Sequence, residues 1–141
     1  MILYLDTSAL VKLYVEEAGT TEVIARVQQA TAVVTARVTY AEARAAFARH
    51  RREGALRAVD LRRVVRELDA DWGSYGVVEV SDPVVRRAGA LAERHALRGY
   101  DAVQLAAALD VRRAGGDVQF VAFGARLCRA ARREGLASPA L

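Results

Sequence analysis

Three acidic residues stand where a carboxylate can do more than face solvent: Asp6, Glu42 and Asp101. Asp6 follows the apolar run Ile2-Leu3-Tyr4-Leu5 and precedes Thr7-Ser8-Ala9-Leu10. A short apolar run bounded by polar residues predicts a buried strand, too short for a helix. Thr7 and Ser8 are helix starters, and apolar residues at helical spacing from Ala9 to Tyr14 predict a helix. Glu42 stands three residues after Thr39, ahead of an alanine- and arginine-rich helix. Asp101 opens a very small, apolar stretch from Ala102 to about Ala114, the composition of a central helix. In an open parallel α/β sheet all three positions fall at the carboxyl ends of the strands, where ligands collect. Each also has a local use. Asp6 and Asp101 can cap helices, and Thr39 to Glu42 has the form of a capping box, worth about 1 kcal/mol apiece.

Energetics separate these uses. Two carboxylates about 4 Å apart repel by about 4 kcal/mol at an effective dielectric of about 20, more than a cap supplies. If the acids converge, either protonation or a divalent cation must offset that repulsion. An all-oxygen set selects a hard cation, Mg2+ or Mn2+. His50 and His95 are isolated in the sequence, and nothing resembles a zinc cluster.

The elements that must position these residues follow in order. A second helix is predicted from Thr20 or Thr21 to about Gln29, and a second strand over Ala32-Val33-Val34-Thr35. A helix from Thr39 to about Glu53 ends at Gly54, and another runs from Leu56 to about Tyr75. Val77-Val78-Glu79-Val80 reads as a third strand. Ser81-Asp82-Pro83 starts a helix reaching His95. Gln119 to Phe123 reads as the fourth strand, Gly124 as a turn, and Ala125 to Glu134 as the last helix. Strands alternating with helices or helix pairs predict an α/β fold, a three-layer sandwich around a mostly parallel sheet of four to five strands. The 141 residues are expected to form a single domain, 1–141.

Composition narrows the setting. The net charge of +4 favours a polyanionic partner, and Lys12 is the sole lysine, so arginine forks carry nearly all the positive charge. No apolar run approaches a membrane span, and Asp6 interrupts the stretch where a signal peptide would need its apolar region. Cys128 is the one cysteine, which excludes an internal disulfide and suits a reducing cytoplasm.

Leu5-Asp6-Thr7-Ser8-Ala9-Leu10-Val11-Lys12-Leu13-Tyr14, Thr39-Tyr40-Ala41-Glu42 and Tyr100-Asp101-Ala102-Val103-Gln104-Leu105-Ala106 together resemble the three signature segments of PIN-domain ribonucleases. Their order and spacing are similar to the VapC-type toxins of bacterial toxin–antitoxin pairs, and the likeness runs the length of the chain. The resemblance implies a metal-dependent endoribonuclease acting on RNA, inhibited by a cognate antitoxin and forming a homodimer. It implies that Asp6 and Asp101 hold the metal, that Glu42 ligates it or orients its waters, and that Ser8 and Thr7 support the ligands. Arg98 and Arg94, close to Asp101 in sequence, are the expected contacts to substrate phosphates. One position departs from the family: a fourth acid is expected directly after the last strand, and Gly124 stands there. Asp117 precedes that strand and belongs at its other end. The rival reading is therefore a PIN-like protein that binds RNA or antitoxin with weakened catalysis.

Overall fold

The computed structural model describes residues 1–140. Four strands form one sheet: β1 (Ile2–Leu5), β2 (Ala32–Ala36), β3 (Gly76–Val78) and β4 (Val118–Val121). Their order is β3-β2-β1-β4. Every pairing is parallel, with Leu3 opposite both Val33 and Gln119. Among the described residues seven helices cover the sheet: α1 (Thr7–Leu10), α2 (Thr20–Gln29), α3 (Thr39–Arg52), α4 (Ala58–Trp72), α5 (Asp82–His95), α6 (Gly99–Arg113) and α7 (Ala125–Arg133). The α/β sandwich with a parallel sheet is the architecture expected from the sequence. Past β4 the chain adds one further bridge, Gln119 to Ala137, and Phe120 N–H donates to the Ala137 carbonyl at 2.7 Å.

Side-chain alternation in β1 divides the interior. Tyr4 faces one way, stacked on Phe120 of β4 with ring centroids 5.5 Å apart, among Val84, Leu91, Leu105 and Leu127 from α5, α6 and α7. Leu3 and Leu5 face the other way, among Leu10, Val23, Phe47, Val64 and Leu68 from the first four helices. A strand buried on both faces has no polar alternation, which is why Ile2 to Leu5 is uniformly apolar. In α6, Ala102, Ala106, Ala107 and Ala108 are all fully buried, so this helix lies close against the sheet as its small residues predicted. Trp72 packs edge-on against both Tyr40 and Tyr75, a packing role rather than a surface for bases.

Several local expectations are corrected. The helix after Asp6 is a single turn that tightens into a 3-10 segment over Val11–Leu13. The Thr39 to Glu42 capping box does not form: Val38 is the N-cap, and neither side chain caps the helix. Asp101 is not a cap either, because α6 starts at Gly99 with Arg98 as its N-cap. β4 ends at Val121, two residues early, since Phe123 N–H turns to the Ser8 hydroxyl at 3.1 Å. Among the described residues, no helix is long and apolar enough to cross a membrane.

Candidate active site

All four strands point their carboxyl ends the same way, and the order reverses direction beside β1. Such a reversal opens a crevice beyond the strand ends. Asp6 lies there as the first residue after β1. It is 5% exposed and caps α1, its Oδ1 accepting from Ser8 Oγ at 2.7 Å and from Ala9 N–H at 3.0 Å. Burial is the main force raising its pKa from 3.8 to about 7; the Ser8 and Ala9 hydrogen bonds oppose it, and the Asp101 and Glu42 charges add to it. Asp101 is also raised by burial, with the Arg98 guanidinium pulling the other way.

Glu42 projects from the first turn of α3. Its Oε1 accepts from Thr7 Oγ1 at 2.7 Å and from Gln104 Nε2 at 3.0 Å. Gln104, one turn of α6 beyond Asp101 and 2% exposed, is the hub. Its Oε1 accepts from the Tyr4 hydroxyl at 2.7 Å, and its Nε2 also approaches Thr39 Oγ1 at 2.9 Å and Thr7 Oγ1 at 3.3 Å. Thr35 Oγ1 donates to the Leu5 carbonyl at 2.7 Å and lies 2.8 Å from Thr39 Oγ1. One amide thus ties β1, α1, α3 and α6 together, and it was not singled out from sequence. Replacing Gln104 by leucine strands the Tyr4 hydroxyl and frees Glu42. A buried polar group left unpaired costs about 1–3 kcal/mol, so we expect a lowered Tm in thermal melts, with activity falling beyond the folded fraction lost.

Asp6, Glu42 and Asp101 line one open cavity of about 610 Å³, together with Thr7, Ser8, Gln104 and Arg98. Sequence reasoning missed other residues of its wall: Lys12, Glu17 and His50. Glu17 draws two side chains in, with Lys12 Nζ at 3.4 Å and His50 Nε2 at 3.1 Å, and Lys12 also sits 4.3 Å from the Phe123 ring centre. Arg49 and Arg52 join the wall from α3. Arg94 is not in it; this side chain is paired with Glu134 instead. Among the described residues no three acidic, histidine or cysteine side chains stand close enough to clasp an ion as they are placed. The donor chemistry nonetheless fits a hard cation: all-oxygen ligands, with a buried carboxylate whose charge the protein leaves uncompensated. Gly124 is the exposed N-cap of α7, directly after the Phe123 N–H that binds Ser8.

A buried strand-end aspartate, a helix-borne glutamate and a second aspartate heading a small-residue helix around one crevice are the layout of a PIN domain. The chain belongs to that family, whose PIN domain model matches residues 3–133. Among curated proteins it is similar to Ribonuclease VapC45 and Ribonuclease VapC49, from two strains of Mycobacterium tuberculosis. Each is 39% identical over 110 residues, covering 78% of this chain and 76% of the relative. Among solved structures it is similar to FitAcB from Neisseria gonorrhoeae, with a TM-score of 0.69, 18% identity and coverage of 98% and 96% of the two chains. VapBC2 from Rickettsia felis, bound to a DNA fragment from the promoter, gives a TM-score of 0.66 at 12% identity, covering 99% and 98%.

Proposed function

We propose that this protein is the endoribonuclease toxin of a toxin–antitoxin pair, and that Asp6, Glu42 and Asp101 hold a divalent cation, Mg2+ or Mn2+, at its active site. The observation that carries this is the opening of three acids, from three separate elements, into one cavity walled by cations. When bound, the cation neutralises the acids and polarises a phosphoryl oxygen under attack. The chain's own residues do the rest. Ser8 and the Ala9 N–H fix Asp6, while Thr7 and Gln104 hold one oxygen of Glu42 and leave the other to ligate or to orient a water. Arg98 stands beside Asp101 to receive the substrate phosphate, and Lys12, Arg49 and Arg52 line the approach of the RNA backbone. Incubating the pure protein with labelled RNAs, with and without Mn2+, tests the reading; RNA left intact in every condition refutes it.

The antitoxin reading has its own footing. Beside the acids runs an apolar groove of about 670 Å³, floored by Ala88, Ala92 and Val103 and sharing Glu42, Arg98 and Asp101 with the cavity. A basic antitoxin segment laid there would bring opposite charge over the acids. The family reading also carries a homodimer, which sedimentation of the pure protein tests.

Gly124 supports the weakened-catalysis rival and allows a direct test. Its φ of −77° is ordinary, and an added Cβ would meet only Leu127 Cβ at 3.9 Å. An aspartate there is unstrained and improves the N-cap of α7 by a few tenths of a kcal/mol. We expect Gly124→Asp to hold or slightly raise the Tm. Supporting ligands are worth about 10- to 100-fold in metal affinity, so the Mn2+ needed for half-maximal cleavage should fall by about tenfold. Equal metal titrations for the two folded proteins would remove position 124 from the site.

A further inference from the structure

The last helix carries charge that the catalytic cavity does not use. α7 buries Leu127, Cys128, Ala130 and Ala131 and turns Arg126, Arg129 and Arg133 outward. These three share one helical face, at intervals of three and four residues. They line a small pocket of about 240 Å³ against the end of α5, with His95 in its wall. None of the three forms an ion pair among the described residues, whereas Arg94 beside them is paired with Glu134. The His95 side chain is 6% exposed, and its Nε2 is buried with no hydrogen-bond partner among the described residues. Glu134 Oε1 approaches that nitrogen at 3.5 Å without hydrogen-bond geometry. Three guanidinium groups that no carboxylate pairs among the described residues, lining one pocket with His95 in its wall, describe a site for an anion with several acceptor oxygens.

The pocket adjoins the acids along the chain. Arg126 donates to the Ala96 carbonyl at 3.0 Å, clamping the turn that leads to Arg98. His95 and Arg98 are three residues apart, so at most about 11 Å separates their Cα atoms. We propose that His95, Arg126, Arg129 and Arg133 form a phosphate-binding subsite that holds the RNA backbone next to the phosphate under attack. This rests on the ribonuclease reading for its ligand, but the pocket can be tested apart from it. A basic helix face could instead meet an acidic surface of the antitoxin. The forked donors favour a phosphate, whose oxygens can engage several of them at once.

The experiment compares the full chain carrying Asp101→Asn, which blocks cleavage, with the same chain also carrying Arg129→Gln and Arg133→Gln. Both positions are exposed, and melting curves confirm folding. Affinity for a single-stranded RNA of about 20 nucleotides should fall by about tenfold on adding the two changes. The slope of log affinity against log salt should shrink by about 1.4, from two phosphate contacts at about 0.7 each. Separately, inorganic phosphate should shift the His95 ring signals in NMR spectra of the parent and not of the double glutamine variant. The chain has two histidines, and His95→Gln assigns them. Unchanged RNA affinity and salt slope overturn the subsite, as does loss of antitoxin binding with RNA binding intact. A parent that binds no RNA while phosphate still moves His95 sinks the ribonuclease reading and the RNA ligand together, leaving only an anion pocket.

Discussion

Asp101→Asn is expected to reduce divalent-metal-dependent RNA cleavage by about 1,000-fold while the circular-dichroism spectrum stays that of the parent. The substitution keeps the shape of the side chain and removes its charge. A cation loses a ligand, and with it several kcal/mol of charge stabilisation at the reacting phosphate. Each 1.36 kcal/mol is about tenfold in rate, so a loss of about 4 kcal/mol gives the stated factor. Folding should survive, because Asp101 is only half-buried in the first turn of α6 and caps nothing. Its removal also takes a like charge away from Asp6. Single-turnover cleavage at saturating Mn2+, with a melting curve beside it, checks the result. A folded Asp101→Asn variant cutting at the parental rate would remove this residue from the site.

Without added metal, the stability of the protein should fall as pH rises from about 4 to about 7, and Asp6→Asn should abolish most of that fall. Burial pushes the Asp6 carboxyl up to about 7 in the fold, from an ordinary 3.8. Below pH 4 it is protonated in both states and contributes no pH dependence. Between the two values the folded state holds a proton that the unfolded state has released, so raising pH costs stability. At about 1.4 kcal/mol for each pH unit, the ceiling is about 4 kcal/mol near pH 7. Saturating Mn2+ should reverse the trend, since the cation binds the ionised carboxylates and competes with protons. Urea unfolding across pH 4 to 8, with chelator and with Mn2+, reads both slopes. A parent whose stability is flat over this range in chelator would show that Asp6 ionises without penalty.

Much of this arrangement was legible in the residues, for reasons that also explain the gaps. The strand ending at Asp6 could be read because a doubly buried parallel strand leaves an unbroken apolar run. The central place of α6 could be read from its alanines. The fit of Thr39 and Glu42 to a capping box misled, because local spacing cannot reveal acceptors elsewhere in the chain. Thr39 meets Gln104 and Thr35, and Glu42 meets Thr7 and Gln104. Gln104 was not singled out, because its partners Tyr4, Thr7, Thr39 and Glu42 lie far from it in the chain. Lys12, Glu17 and His50 escaped notice since the contact joining them spans the turn after α1 and the body of α3. Arg94 was drawn toward Asp101 by nearness in sequence, but the helix turns it to Glu134.

The tail that runs beside β4 has a consequence for how the molecule meets others. An unpaired outer strand is a template on which another chain can add its own backbone, and proteins guard against it by covering or shortening such strands. Here the Ala137 carbonyl already takes the Phe120 N–H on one side of the sheet. On the other side β3 offers three residues, followed at once by the Arg37–Glu79 ion pair. Neither flank invites strand addition. Association, whether with a second copy or with an antitoxin, is thereby steered to helical faces, where side chains rather than backbone groups choose the partner.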